Sequence, residues 1–309
     1  MLRYFLGRLG QTVLVLICIS MVSFVFLRLT GDPAGLVLPQ DATMDQMAAM
    51  RIQMGLDKAL PMQYLQYLGH VLQGDLGRSI YSQEPVTGLI MERMPATMEL
   101  AVVSMLAALA VAVPIGIVSA LYRGTLMDNA SMFFALVGIS MPHFWLGIML
   151  VMLFSVELGW LPTSGRGGWQ HMILPATTLG LSLVALFARL VRSSMLEVLG
   201  QDYVRTARAK GASQLAVVGK HALRNALIPI VTVIGMQFGL LLGGTVIIET
   251  VFAWPGVGRL IVQAVMDRDY PVVQAAVMFL AAIFVLVNLV VDMLYIWLDP
   301  AISYHRGQA

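Results

Sequence analysis

Six blocks of this chain are long and apolar enough to restrict what can surround them. They run roughly Leu9–Leu29, Met98–Tyr122, Ala130–Val156, Met172–Val191, Ala226–Thr250 and Val272–Leu298. A helix needs about 20 largely apolar residues to cross the hydrocarbon core of a bilayer, and it satisfies its own backbone hydrogen bonds there. Barrel strands are shorter and alternate apolar with polar residues, so they are excluded as the spanning element. Hydrophobic residues make up 59% of the 309 and charged residues 12%, about half the charged share of a soluble domain. The expected fold is all-α and polytopic, with six transmembrane helices.

Arg3 and Arg8 precede the first block, as in a secretory signal. The block is too long for a signal core and no small-x-small cleavage site follows it, so an uncleaved first span is expected. The single cysteine, Cys18, lies in that block and excludes an intrachain disulfide. Positive charge in short loops sets orientation. With the N-terminus cytoplasmic, the inner segments carry Arg3, Arg8, Arg123, Arg306 and a cluster of Arg189, Arg192, Arg205, Arg208, Lys210, Lys220 and Arg224. The two short outer loops carry only Arg166, Arg259 and Arg268. Both termini are therefore expected inside.

Two segments between the spans carry structure of their own. In the first, about Thr30 to Thr97, Thr43 and Gln46 fit a capping box. Leu60, Tyr64, Leu65, Leu68, Val71 and Leu72 recur at helical spacing, and Gly74-Asp-Leu-Gly77 ends that helix with turn chemistry. The second segment, Arg192 to Arg224, is basic and helix-prone up to Lys210. Gly211 breaks it, and Ser213 can cap a second helix running to about His221. A helix–Gly–helix element on the cytoplasmic face suits a soluble partner. The alternative is a charged loop that serves topology and attraction to anionic lipid.

Arg205-Thr-Ala-Arg-Ala-Lys-Gly211 resembles the cytoplasmic "EAA" loop of ABC importer permeases. The longer stretch from Arg192 through Gly211, followed by His221-Ala-Leu-Arg-Asn-Ala-Leu-Ile-Pro229, resembles the first permease of the peptide/nickel branch. So do Gly31-Asp-Pro33, Gly55-Leu-Asp57, Gln73-Gly-Asp-Leu-Gly77, Pro95-Ala-Thr97, Phe252-Ala-Trp-Pro-Gly-Val-Gly258, Arg268-Asp-Tyr-Pro271 and Asn288-Leu-Val-Val-Asp292. The resemblance covers essentially the whole chain. Arg205 and Thr206 stand where the general pattern has Glu and Ala, and Pro229 lies further from Gly211 than in the general loop.

The resemblance implies a type I ABC importer permease fold at the inner membrane. It implies a sister permease forming a heterodimer with this chain, two cytoplasmic ATPase subunits and a periplasmic substrate-binding protein. The chain then divides into an N-terminal transmembrane helix (1–29), a periplasmic helical loop (30–97) and a core permease domain (98–309) with five transmembrane helices. The coupling loop spans 192–224, with Arg205, Thr206, Ala207 and Gly211 as its candidate docking residues.

A phosphate-cradling loop needs Gly-x-x-x-x-Gly-Lys-Ser/Thr. Gly219-Lys220 has Gln214 and His221 at the flanking positions, so no ATP site of its own is expected and energy must come from partners. Gly235, Gly239 and Gly243 recur every four residues in the fifth span. Small residues at that spacing let helices approach closely, and packing within the chain's own bundle is the favoured role over sister contact or pore lining. Asp292 sits one turn after Asn288 in the last span. It is either paired with Arg189, near the inner end of the fourth span, or both residues snorkel separately to the cytoplasm. Glu99 and Glu249 fall near the outer face, either as an anionic mouth or as solvated or capping residues.

The histidines are His70, His143, His171, His221 and His305, and no two stand at metal-ligand spacing. No metal site, cofactor or nucleic-acid contact is expected. An intramembrane serine protease would need an activated serine, and Gly138-Ile-Ser140 lacks both the elbow motif and a placed histidine base. A passive channel would not need a docking loop. The resemblance implies a permease for di-/oligopeptides or glutathione, with nickel or a nickel complex as the alternative cargo.

Overall fold

The computed structural model describes residues 2–30, 43–53 and 55–298. The regular elements among the described residues are helices: α1 (Leu2–Thr30), α2 (Met44–Gln53), α3 (Leu60–Leu72), α4 (Val86–Leu121), α5 (Leu126–Ser140), α6 (His143–Leu150), α7 (Gln170–Leu199), α8 (Asp202–Ala209), α9 (Gln214–Ala216), α10 (Arg224–Val251), α11 (Val257–Met266) and α12 (Tyr270–Leu298). A π-helical stretch, Val151–Glu157, prolongs α6, and another, Val217–Leu223, joins α9 to α10. The Gly31-Asp-Pro33 motif lies outside the described residues.

Helices α1, α4, α7, α10 and α12 each hold a stretch long and apolar enough to cross a membrane. The third expected span is divided. Its backbone turns extended at Met141 (φ −85°, ψ 128°) and at Pro142 (φ −60°, ψ 131°) before α6 begins. Proline disfavours helical backbone in the residue before it and offers no N–H of its own, so the helix stops there and restarts. The span is thus α5 followed by the shorter apolar helix His143–Glu157.

The chain forms two compact units. The first takes in residues 98–254 and 287 onwards. Within it α7 packs against α5, α6 and α10. Small residues bring its neighbours close: a Cβ on Gly116 would stand 2.6 Å from Val191 Cβ and 2.7 Å from the Ala188 carbonyl, so α4 and α7 meet backbone to backbone there.

The second unit takes in residues 2–97 and 255–286. The capping box forms: Thr43 N–H donates to Gln46 Oε1 (2.9 Å) and Gln46 N–H to Thr43 Oγ1 (3.3 Å). The amphipathic helix is α3. Its Tyr64 bonds Ser20 of α1 at 2.8 Å and packs with Tyr67 on Phe24. Asp75 Oδ1 accepts from the Gly77 N–H (2.9 Å), which makes the expected turn. Val86, Ile90, Val257, Leu260, Val272 and Ala276 form a buried cluster. Two of the motifs act as pins. Thr97 Oγ1 accepts from the Val257 N–H (2.8 Å) at the start of α11. Buried Asp269 accepts from the Ser79 hydroxyl and from the Ile80 N–H.

Candidate functional site

The helix–Gly–helix element forms as the sequence requires. Gly211 takes a left-handed backbone (φ 80°) at the end of α8. The Gly211 N–H donates to the Arg208 carbonyl (3.0 Å) and the Ala212 N–H to the Ala207 carbonyl (3.2 Å). This is the Schellman closure, in which glycine is favoured because a Cβ strains the left-handed residue. Ser213 Oγ then accepts from the Ala216 N–H (3.3 Å) and caps α9. The second helix does not stop near His221 but runs through Val217–Leu223 into α10 without a break.

On α8, Arg205 is exposed and forms only a loose pair with Asp202, at 3.5 Å. Thr206 Oγ1 donates back to the Asp202 carbonyl (2.9 Å), Ala207 is half-buried and Gly211 is exposed. Buried Val204 and Val217 hold the element down, and Asn225 Nδ2 donates to the Tyr203 hydroxyl (2.8 Å), tying α8 to α10.

Beneath it lies an ion pair that the sequence reading did not single out. Arg192, near the end of α7, donates from Nε to Asp128 Oδ1 and from Nη2 to Oδ2, each at 2.7 Å. Asp128 stands in the first turn of α5, where Thr125 is the N-cap. Its carboxylate also accepts from the Ser119 hydroxyl of α4 and from the Gly124 N–H (3.0 Å). One buried carboxylate thus ties the ends of α4, α5 and α7 together. The Arg192 guanidinium, then Ser119 and the Gly124 amide, hold the Asp128 carboxyl well below the usual carboxylate range. Beside it Ala120, Val191, Met195, Ala222, Ala226 and Ile230 form a buried cluster joining these ends to the stretch that follows α9. The available signal was an acidic residue at a span end otherwise flanked by bases.

The other candidates fall in different places. A Cβ on Gly235 would lie 2.0 Å from Val291 Cγ2, so Gly235 is packed against α12. Gly239 is buried, and Gly243 is exposed with nothing within 4 Å of an added Cβ. Arg189 is exposed on α7, and the Asp292 side chain lies outside the described residues. Glu249 is buried. Glu99 pairs with Arg166, whose Nη2 and Nε both donate to Glu99 Oε2, at 2.5 and 3.0 Å. The Arg166 guanidinium lies 5.8 Å from the centre of the Trp254 ring.

Long apolar helices, a bundle centred on α7 and a basic helix–turn–helix that a soluble partner could grip are the marks of a polytopic membrane protein. Residues 112–304 match the "Binding-protein-dependent transport system inner membrane component" family, and residues 1–101 match its N-terminal counterpart. The chain belongs to this family of binding-protein-dependent transport system inner membrane components. Over 305 residues, 98% of this chain and 100% of the relative, it is 48% identical to the "Glutathione transport system permease protein GsiC" of Salmonella typhimurium strain LT2. It is 47% identical over the same span to the protein of that name in Escherichia coli strain K12, again covering 98% of this chain and 100% of the relative. Among solved structures, the inward-facing MetNI methionine ABC transporter matches with a TM-score of 0.60 at 20% identity, over 70% of this chain and 99% of that one; this is a likeness of fold. The resemblance to ABC importer permeases therefore holds, and the chain is a multi-pass membrane permease subunit rather than an enzyme.

Proposed function

We propose that this chain forms one half of the pathway by which glutathione or a similar short peptide enters the cell across the inner membrane. What carries this is the 48% identity, sustained over 98% of the chain, to relatives named as glutathione transport system permeases. A sister permease supplies the other half, two cytoplasmic ATPase subunits supply energy, and a periplasmic binding protein delivers cargo. The charge bias of the short loops supports a cytoplasmic position for both termini. The first helix (1–29) and the loop 30–97 then precede a core domain, 98–309, that holds the pathway.

In this scheme α8, Gly211 and α9 dock on an ATPase. The buried cluster around Val191 and Ala222 carries the motion of that docked element into α7 and α10. The Asp128–Arg192 pair keeps the ends of α4, α5 and α7 moving together. ATP bound to the partners and cargo-loaded receptor must both favour the same state, because a ligand shifts a conformational equilibrium only through its differential affinity for the two states. The pairing of Asp292 with Arg189 belongs to the same proposal, and a double-mutant cycle showing no coupling between them would remove it.

The test is reconstitution with sister permease, ATPases and receptor in proteoliposomes. ATP-dependent accumulation of labelled glutathione is expected. Accumulation of nickel instead, or glutathione flux down its gradient without ATP, would overturn the proposal.

A further inference from the structure

At the start of α7, the end remote from Arg192, the first unit holds a cavity of about 560 Å³, a size suited to a small ligand. Val103, Ala107 and Ile173 give it an apolar floor, Thr177 and Trp254 add polar and aromatic wall, and Glu99 stands in its lining. Arg166 adjoins it through Gly167 and Gly168, which also line it. About 20 residues of helix, or about 30 Å, separate Met172 of this cavity from Arg192. If the docking element lies inside, as proposed above, the cavity lies at the outer mouth.

The charges at this mouth have an uncommon arrangement. Both bonds from Arg166 end on one oxygen of Glu99, Oε2. Oε1 is left to accept and Nη1 to donate, without breaking the pair. The two side chains are 39% and 44% exposed, so a ligand can reach them. The Arg166 plane is held by the Trp254 ring, itself buried, and the loop is held by the Gly165 N–H donating to the Phe252 carbonyl (2.8 Å). Position 167 has no room for a side chain, because a Cβ there would meet the His171 ring at 2.7 Å. The loop that carries Arg166 is therefore tied at Gly165 and packed against His171 at Gly167.

We infer that this cavity is a subsite of the permease itself for the zwitterionic α-amino-acid end of a γ-glutamyl peptide such as glutathione, with Glu99 Oε1 taking the ammonium and Arg166 Nη1 the carboxylate. A neutral pair meets a neutral zwitterion, so no net charge is desolvated. With Nε and Nη2 on Glu99, Nη1 can still donate to a carboxylate, and such a charge-assisted bond is stronger than one between neutral groups. The rest of the peptide lies along the apolar floor. Part-exposed charges bind weakly, which suits a site that receives cargo and must release it. No group of three His, Cys, Asp or Glu capable of holding a metal occurs among the described residues, so a bare cation is not the fitting occupant.

This rests on the peptide cargo proposed above, and the two fail separately in one experiment. The complete complex in nanodiscs is titrated, without receptor, with labelled glutathione and with glutathione acetylated on its amine, and the same preparations are assayed for receptor-dependent uptake in proteoliposomes. Glu99→Gln should weaken glutathione binding about tenfold yet leave the weak binding of the acetylated peptide unaltered. Arg166→Gln should weaken binding of both, and exchanging the two residues should restore part of the loss. Equal losses for both peptides in Glu99→Gln, wild-type binding in both single variants, or no saturable binding to a wild-type complex that still imports glutathione, would each overturn the subsite. A wild-type complex that imports no glutathione at all would instead overturn the cargo.

Discussion

Arg192 grips both oxygens of Asp128 across 64 residues of sequence, and the carboxylate it holds is almost wholly buried. Arg192 is 25% exposed and Asp128 3% by side chain, so the acid depends on this partner more than the base does. Asp128→Asn keeps the shape but removes the charge. It should destabilise the first unit by about 2 kcal/mol, less than the ~3–5 of a fully buried pair because Arg192 can turn to water. Arg192→Lys should cost nearly as much, since an ammonium cannot reproduce the fork. Thermal unfolding of the detergent-solubilised complex measures both, and a Tm within a degree of wild type in either would contradict the geometry.

The same pair sets a pH dependence. The folded Asp128 carboxyl titrates below its ordinary value of about 3.9, so its stabilising effect is complete above about pH 5 and declines as the pH falls through that value and below. Wild type and Asp128→Asn should therefore differ most in Tm near neutrality, and the difference should narrow steadily as the pH falls from about 5 to 3 without closing there, because the folded carboxyl titrates lower still. Parallel Tm curves over that range would show that the carboxylate is not held as described.

At the docking element, Gly211→Glu and Ala207→Asp should let the chain insert and assemble while uptake per ATP hydrolysed falls severalfold. Gly211→Asn should be the mildest replacement there, because asparagine tolerates the left-handed backbone. Measured coupling ratios in proteoliposomes would settle it; wild-type ratios for both bulky variants would exclude docking at these residues.

Along the fifth span, Gly235→Ala should lower Tm because its Cβ would fall 2.0 Å from Val291 Cγ2, and Val291→Ala should recover most of the loss. Gly243→Ala meets nothing within 4 Å and should leave the Tm of the isolated chain unmoved. A loss at Gly243 but not at Gly235 would invert this assignment.

The elements legible in the sequence are those written in local patterns. Long apolar blocks mark spans, Thr43 with Gln46 marks a helix start, and Gly211 with Ser213 marks a stop and a restart. What escaped was non-local or ambiguous. Asp128 reads locally as an ordinary first-turn acid and Arg192 as one of many inner positive charges. Only the crossing of α5 and α7 makes them partners. Glu99 was legible as a charge near the outer face, but its link to Arg166 depends on a loop path that no periodicity encodes. Met141-Pro142 was visible inside the third block, yet the hydropathy of that block is continuous, and hydropathy does not report a missing N–H.

That interruption at Pro142 also orients the subunit. Extended backbone leaves carbonyls and amides near the middle of the third apolar stretch without their helical partners, and hydrocarbon offers none in exchange. Pro142, His143, Phe144 and Trp145 are nonetheless exposed in the single chain. Non-helical backbone at membrane depth is stable where protein or water covers it, so this part of the perimeter is expected to face away from the bilayer. Another protein chain or water is the expected neighbour there, and the lipid-contacting boundary of the subunit is expected on its other faces.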